Sequence, residues 1–197
     1  MANVKFSELK GNEFKPYGTD EALDALVDSA VYTDRYTAAI QSYGLDKLVN
    51  DPEWGIRAQV ATNGYALDKL IDDRDDIVRA AAVRSMGRER RRTEREENAK
   101  KLEKYLNNES RIMRYALAEQ GFGIETLIKD DDPYVRAGAA IAASDEQLNI
   151  LVKDPSPQVR LAVVGRKYGL DTLINDPNPY VSNAASKIKS ELSQKGE

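Results

Sequence analysis

The stretch Leu45–Gly64, LDKLVNDPEWGIRAQVATNG, returns from Leu67 as LDKLIDDRDDIVRAAAVRSMG, displaced by 22 residues. A fixed short period marks a stacked repeat array, in which each unit buries its apolar face only against its neighbours. The whole chain can be indexed on one arginine column. Arg35, Arg57 and Arg79 are 22 apart; Arg114 follows after 35, Arg136 after 22 and Arg160 after 24, and Ser182 takes the same slot 22 later. Twelve residues before each stands an apolar residue: Leu23, Leu45, Leu67, Leu102, Ile124, Leu148 and Leu170. Six after that residue come Ser29, Asp51, Asp73, Asn108, Asp130, Asp154 and Asp176. Columns that close in one register seven times predict seven units of about 22 residues.

Each unit reads as two short helices. The first, Leu45 to Asn50 in the second unit, puts apolar residues at i, i+3 and i+4. An acid usually follows its opening residue, where it suits the positive end of a helix dipole. Asp-Pro then breaks the chain at Asp51-Pro52, Asp154-Pro155 and Asp176-Pro177, because proline disfavours helical geometry in the residue before it. The second helix, about Glu53 to Thr62, turns Ile56, Val60 and Ala61 inward and is rich in small residues elsewhere in the column. Gly64, Gly87 and Gly121 fall where a helix end accepts positive φ. Tyr43, Tyr65, Phe122 and Tyr168 recur at one slot, as packing residues do.

Residues 1–18 stand outside the period and read as an N-terminal cap or a binding arm. The array spans 19–192, with a charged insert at 87–104, and 193–197 form a tail. The insert adds 13 residues and predicts one longer charged helix from about Arg88 to Asn107. The fold class is all-α, a right-handed α-solenoid superhelix.

With these columns laid out, the repeat resembles the HEAT-like and leucine-rich repeat variant α-solenoids, whose units carry a D-P-x-x-x-V-R core. Asp51-Pro52 with Ile56-Arg57, Asp154-Pro155 with Val159-Arg160, and Asp130 with Val135-Arg136 carry the likeness over residues 20–190. The resemblance implies stacked helical pairs that serve as binding modules. It also implies a structural role for Arg35, Arg57, Arg79, Arg114, Arg136 and Arg160. These form a ladder with the aspartates of the preceding slot, Arg57 with Asp51, Arg79 with Asp73 and Arg136 with Asp130, and Asp154 and Asp176 continue that column. One leucine-rich repeat variant relative holds a cysteine-ligated iron–sulfur cluster; this chain has no cysteine, so that feature does not carry over.

The sequence offers little for catalysis. It has no histidine and no cysteine, which removes the imidazole base, the thiol nucleophile and the common zinc ligand sets. The acidic runs Asp72-Asp73-Asp75-Asp76 and Asp130-Asp131-Asp132 lack calcium-loop spacing and fall at turns, where aspartate caps helices. No catalytic residue, metal or cofactor is expected. Nothing near the start reads as a signal peptide and no stretch is long and apolar enough for a membrane span, so the expectation is a cytoplasmic protein.

The remaining function is binding. The slots two before, one after and five after the arginine share a face away from the packed stripe, and only Arg84 and Lys187 among the 21 residues there are basic. A tyrosine-rich, charge-poor surface suits a protein partner. The candidate contacts are Tyr36, Ile40, Trp54, Arg84, Tyr115, Tyr134, Ile141 and Tyr180, with Arg88, Arg91, Arg92 and Arg95 of the insert. The expected role is a non-enzymatic scaffold, adaptor or inhibitor, and a phage or mobile-element inhibitor of a host complex would have this make-up. The alternative is nucleic-acid binding through the arginine column and the basic insert, against which a net charge of −4 argues weakly.

Overall fold

The computed structural model describes residues 21–88 and 92–195. The expected cap at 1–18 and Arg91 lie outside the described residues, as do the tail's last two residues. Among the described residues there are fourteen α-helices, one 3₁₀ turn and no strand. They fall into two compact blocks, divided between Asn98 and Ala99.

In the first block, α1 (Glu21–Val27) is followed by α2 (Tyr32–Ile40), α3 (Leu45–Leu48), α4 (Trp54–Thr62), α5 (Leu67–Leu70) and α6 (Asp76–Gly87). The longer helices pack in series, α1 on α2, α2 on α4 and α4 on α6, with α3 and α5 beside them. The second block runs from α8 (Arg111–Glu119) through α9 (Ile124–Leu127), α10 (Pro133–Ala142), α11 (Asp145–Leu151), α12 (Pro157–Gly165) and α13 (Leu170–Leu173) to α14 (Pro179–Lys195). There α8 packs on α10, α10 on α12 and α12 on α14. Between them α7 (Arg92–Leu102) contains the division.

The first helix of most repeats is shorter than the sequence suggests: α3, α5, α9 and α13 are single four-residue turns. One turn cannot hold itself together in water. Burial of Leu45 and Leu48, and of Leu70, Leu127 and Leu173 elsewhere, fixes these turns, each leucine contributing about 1.5–3 kcal/mol. The second helices start where a side chain or a proline allows. Asp75 accepts the Ile77 N–H and Asp132 that of Tyr134. Pro133, Pro157 and Pro179 occupy first-turn positions, where no N–H is needed. The residue just before the arginine, Ile56, Val78, Met113, Val135, Val159 or Val181, is fully enclosed. This row, the alanines, valines and Leu117 four residues on, and the leucines of the single turns form the core.

The insert departs from the expected single helix over 88–107. The first block's last helix runs on to Gly87, whose φ is not in the positive range, whereas Gly64 and Gly121 do adopt φ of 82° and 81°. Among the described residues the charged helix covers Arg92–Leu102, and Glu103–Tyr105 tightens into a 3₁₀ turn. It stops there because Leu102 and Tyr105 are buried as the opening residues of the next repeat. Along this helix Arg92 pairs with Glu96, one turn on, at 2.8 Å.

The residue before the single-turn helices takes left-handed geometry. Gly123, at φ 62°, leaves no room for a side chain, since an added Cβ would run into the Leu106 methyls. Ala66 occupies the same slot at φ 50°, a conformation that costs an L-residue roughly 1–2 kcal/mol. Ala66→Gly therefore raises stability by about 0.5–1 kcal/mol after the larger unfolded-state entropy of glycine is subtracted. Urea denaturation of the two chains checks this.

Candidate functional site

Five arginines of the column each grip an aspartate with two parallel hydrogen bonds. Arg35 donates from Nε and Nη2 to Asp51 at 2.7 and 3.2 Å, and Arg57 to Asp73 at 2.8 and 2.9 Å. Arg114 meets Asp130 at 2.7 and 3.0 Å, Arg136 meets Asp154 at 2.7 and 2.9 Å, and Arg160 meets Asp176 at 2.6 and 2.8 Å. The expected pairing is corrected here. Each carboxylate belongs to the following repeat, 16 or 18 residues on, and not to the aspartate six residues back. That preceding slot contributes its backbone carbonyl: Nη1 of Arg57 donates to Asp51 O, of Arg136 to Asp130 O and of Arg160 to Asp154 O, each at 2.7 Å. The geometry explains the exchange. A fork of five N–H groups can hold a carboxylate on one edge and a carbonyl on the other.

The same aspartates also shape the turn. Asp51 Oδ1 accepts the Glu53 N–H, Asp73 that of Asp75, Asp130 that of Asp132, Asp154 that of Ser156 and Asp176 that of Asn178. Arg79 is the exception. It donates to Asp73 O and to Asp76 of its own helix, and its Nε is buried without an acceptor.

A second row of contacts was not anticipated. The residue six after the arginine reaches back to a helix-end carbonyl of the previous repeat: Asn63 to Ala39 O at 2.5 Å, Ser85 to Ala61 O at 2.6 Å, and Arg166 to Ala140 O at 2.9 Å. Such carbonyls lack the regular i+4 donor of a helix, and those of Ala39 and Ala61 also accept the turn N–H groups of Ser42 and Gly64. The hint in the sequence was the run of hydrogen-bonding residues Gln41, Asn63, Ser85, Gln120 and Arg166 at that slot.

Hydrogen bonds to the aspartates raise the affinity of the five guanidinium groups for their protons. Burial pushes Asp73 and Asp130 upward, but the bonds from Arg57 and Arg114, the turn N–H groups and nearby positive charge outweigh it, and both settle below the usual carboxylate range. Asp176 is lowered chiefly by its bond from Arg160.

The face expected to bind a partner is open. Of its 21 residues only Ala80 is buried. In the first block Tyr32 and Tyr36 stack with centroids 5.7 Å apart and planes 12° from parallel. The Tyr32 hydroxyl lies over Gly55, where an added Cβ would approach it to 2.7 Å. Trp54, 47% exposed, stands next to Gly55 in the chain, with Ile40 and Ile77 also exposed. Tyr36 is half-buried and its hydroxyl donates to Gln59. In the second block Ile112, Tyr134, Ile141, Leu161 and Tyr180 are exposed, Tyr134 to 54% and Tyr180 to 80%. The half-buried Tyr115 ring lies on Gly138, 2.9 Å from where a Cβ would stand. The Arg111 guanidinium sits 5.4 Å from the centre of the Tyr134 ring.

Tyr32 was not singled out by the sequence, although it shares the slot three before the arginine with Trp54, and two aromatics in one column were the available signal.

Among the described residues the basic candidates are occupied. Arg88 donates to Thr62 O at 3.3 Å, Arg92 pairs with Glu96, and Arg95 donates to Gly87 O at 2.7 Å. Arg84 is half-buried and is also engaged by a neighbouring group. A groove of about 590 Å³ in the second block brings together Asn108, Glu109, Arg114, Glu125, Lys129 and Asp131. Its charges are mixed, and Arg114 is committed to Asp130. No group of three or more acidic, histidine or cysteine side chains placed to hold a metal occurs among the described residues, and no described helix is long and apolar enough to cross a membrane.

These features define an all-helical repeat protein. No family model matches the chain, and no curated protein does. Among solved structures the chain is similar to a leucine-rich repeat variant with a novel repetitive protein structural motif. The two share 24% identity over 84% of this chain and 79% of that one, with a TM-score of 0.38.

Arg57→Ala strands the largely buried Asp73 carboxylate and destabilises the protein by about 3–5 kcal/mol. Arg79→Ala, which strands no such partner, costs less, about 1.5–3 kcal/mol, the worth of hydrogen bonds to a charged group. Chemical denaturation of both variants measures the difference. Because Asp73, Asp130 and Asp176 have lowered values when folded, their contribution is complete above the unfolded value of about 3.9. It drains away as pH falls through the folded values. Acid titration followed by circular dichroism should show this loss below about pH 4, and Asp73→Asn should make it shallower.

Proposed function

We propose that the chain is a non-enzymatic protein-binding module that acts by occupying a partner's surface, as scaffold, adaptor or inhibitor, in the cytoplasm. One observation carries the reading. On the second helices of each block, large apolar side chains collect at the outward slots, Tyr32, Tyr36, Trp54, Ile40 and Ile77 in one and Ile112, Tyr115, Tyr134, Ile141, Leu161 and Tyr180 in the other. Clustered exposed apolar residues in a water-soluble protein mark interaction surfaces, and tyrosine and tryptophan are the residues enriched at binding hot spots. The ladder supports the choice over nucleic acid. Five of the six column arginines already hold carboxylates in their forks, so they do not present a free cationic stripe to phosphates.

The test is capture of a partner from nuclease-treated lysate by the wild type and by Tyr134→Ala and Tyr180→Ala, eluted in salt steps. Both rings project into solvent, so the variants keep their helical signal. Each should weaken partner retention by about tenfold or more, the loss of a 1.4 kcal/mol or larger hot-spot contact. A retained protein should survive high salt. Recovery of nucleic acid, released at moderate salt and indifferent to both tyrosines, would reverse the reading.

A further inference from the structure

The ladder comes in two runs. Arg35–Asp51 and Arg57–Asp73 belong to the first block; Arg114–Asp130, Arg136–Asp154 and Arg160–Asp176 belong to the second. Between the runs Arg79 turns to Asp76. The next residue of the aspartate column stands 29 residues further on and is Asn108, which offers no carboxylate. Asn108 still does the local work of the slot by accepting the Ser110 N–H, as Ser29 does for Val31 in the first repeat, which no arginine precedes. A carboxylate occupies this slot only where an arginine arrives. By that chemistry the repeat that opens at Leu102 is the beginning of an array.

The insert is a polar helix. RTEREENAKKL contains two apolar residues, Ala99 and Leu102, and only Leu102 is buried. Its first half is tied to the first block, Arg95 to Gly87 O at 2.7 Å and Asn98 to Met86 O at 3.2 Å. Coupling in a repeat array is the sum of interfaces between successive units, and a polar helix that buries one side chain is a poor carrier of it.

We infer that the chain folds as two cooperative blocks, and that α7 is the segment in which cooperativity lapses. Unfolding of one block leaves the other standing.

Hydrogen exchange on the full-length chain, resolved by peptide, tests this with one core truncation in each block. Leu173→Ala should cut protection of the helices from α8 to α14 by about 30-fold or more, the equivalent of a cavity substitution, and leave α2 to α6 within about twofold. Leu48→Ala should do the reverse. Loss of protection by the same factor on both sides of α7, from either substitution, overturns the inference. Should Leu173→Ala prevent folding, Val163→Ala removes less from the same block and is read the same way. The single tryptophan, Trp54, lies in the first block and supplies an independent reading. In the Leu173→Ala chain, where only the second block is weakened, its fluorescence and the far-ultraviolet circular dichroism should follow different urea transitions, and coincident transitions there would also overturn the inference.

Discussion

A guanidinium removed from water is tolerable only where a carboxylate meets it and its remaining N–H groups find acceptors. The repeat satisfies both conditions with one side chain. Arg57 holds Asp73 ahead of it and the Asp51 carbonyl behind it, and so joins two turns that have little regular structure of their own. The four-residue helices beside those turns depend on the result, because their leucines can be buried only if the turns are held in register. The apolar row of Ile56, Val78, Met113, Val135, Val159 and Val181 supplies the larger part of the driving force. The paired charges contribute less net energy but set which turn lies against which helix.

The outward face follows from the inward one. The arginine points toward the turns and its predecessor into the core, so the residues two before and one after it are left facing water at a helical spacing. The side chains there that stand out in solvent add little to the fold. Tyr180 and Tyr134, among the most exposed large apolar residues, stand at positions where a polar residue would serve stability equally well, and this is why they bear on function.

Much of this was legible in the chain. The repeating columns, the inward row and the open face all came from one 22-residue register, because each position in a repeat meets nearly the same environment each time. What the register could not give was the identity of the arginine's partner. Asp51 lies six residues before Arg57 and Asp73 sixteen after it, and both belong to the same column; only the three-dimensional stacking separates a carbonyl contact from a carboxylate one. The insert was misjudged for a related reason. Its helix continues as far as charge and propensity allow, but Leu102 and Tyr105 are claimed by the next repeat's core. Tyr32 escaped notice because its ring is placed by Gly55, a residue in a different helix.

The direction of the pairing bears on how such a chain could change length. Each repeat inside a run carries the acceptor for the arginine before it and the donor for the aspartate after it. Copying or deleting one whole repeat within a run therefore leaves every remaining guanidinium with a carboxylate. Had each arginine held the aspartate of its own repeat, the junctions between repeats would have had no such bond at all. The forward link lets the array gain or lose a unit without leaving a buried charge alone, and it makes the number of repeats the easiest property of this architecture for mutation to alter.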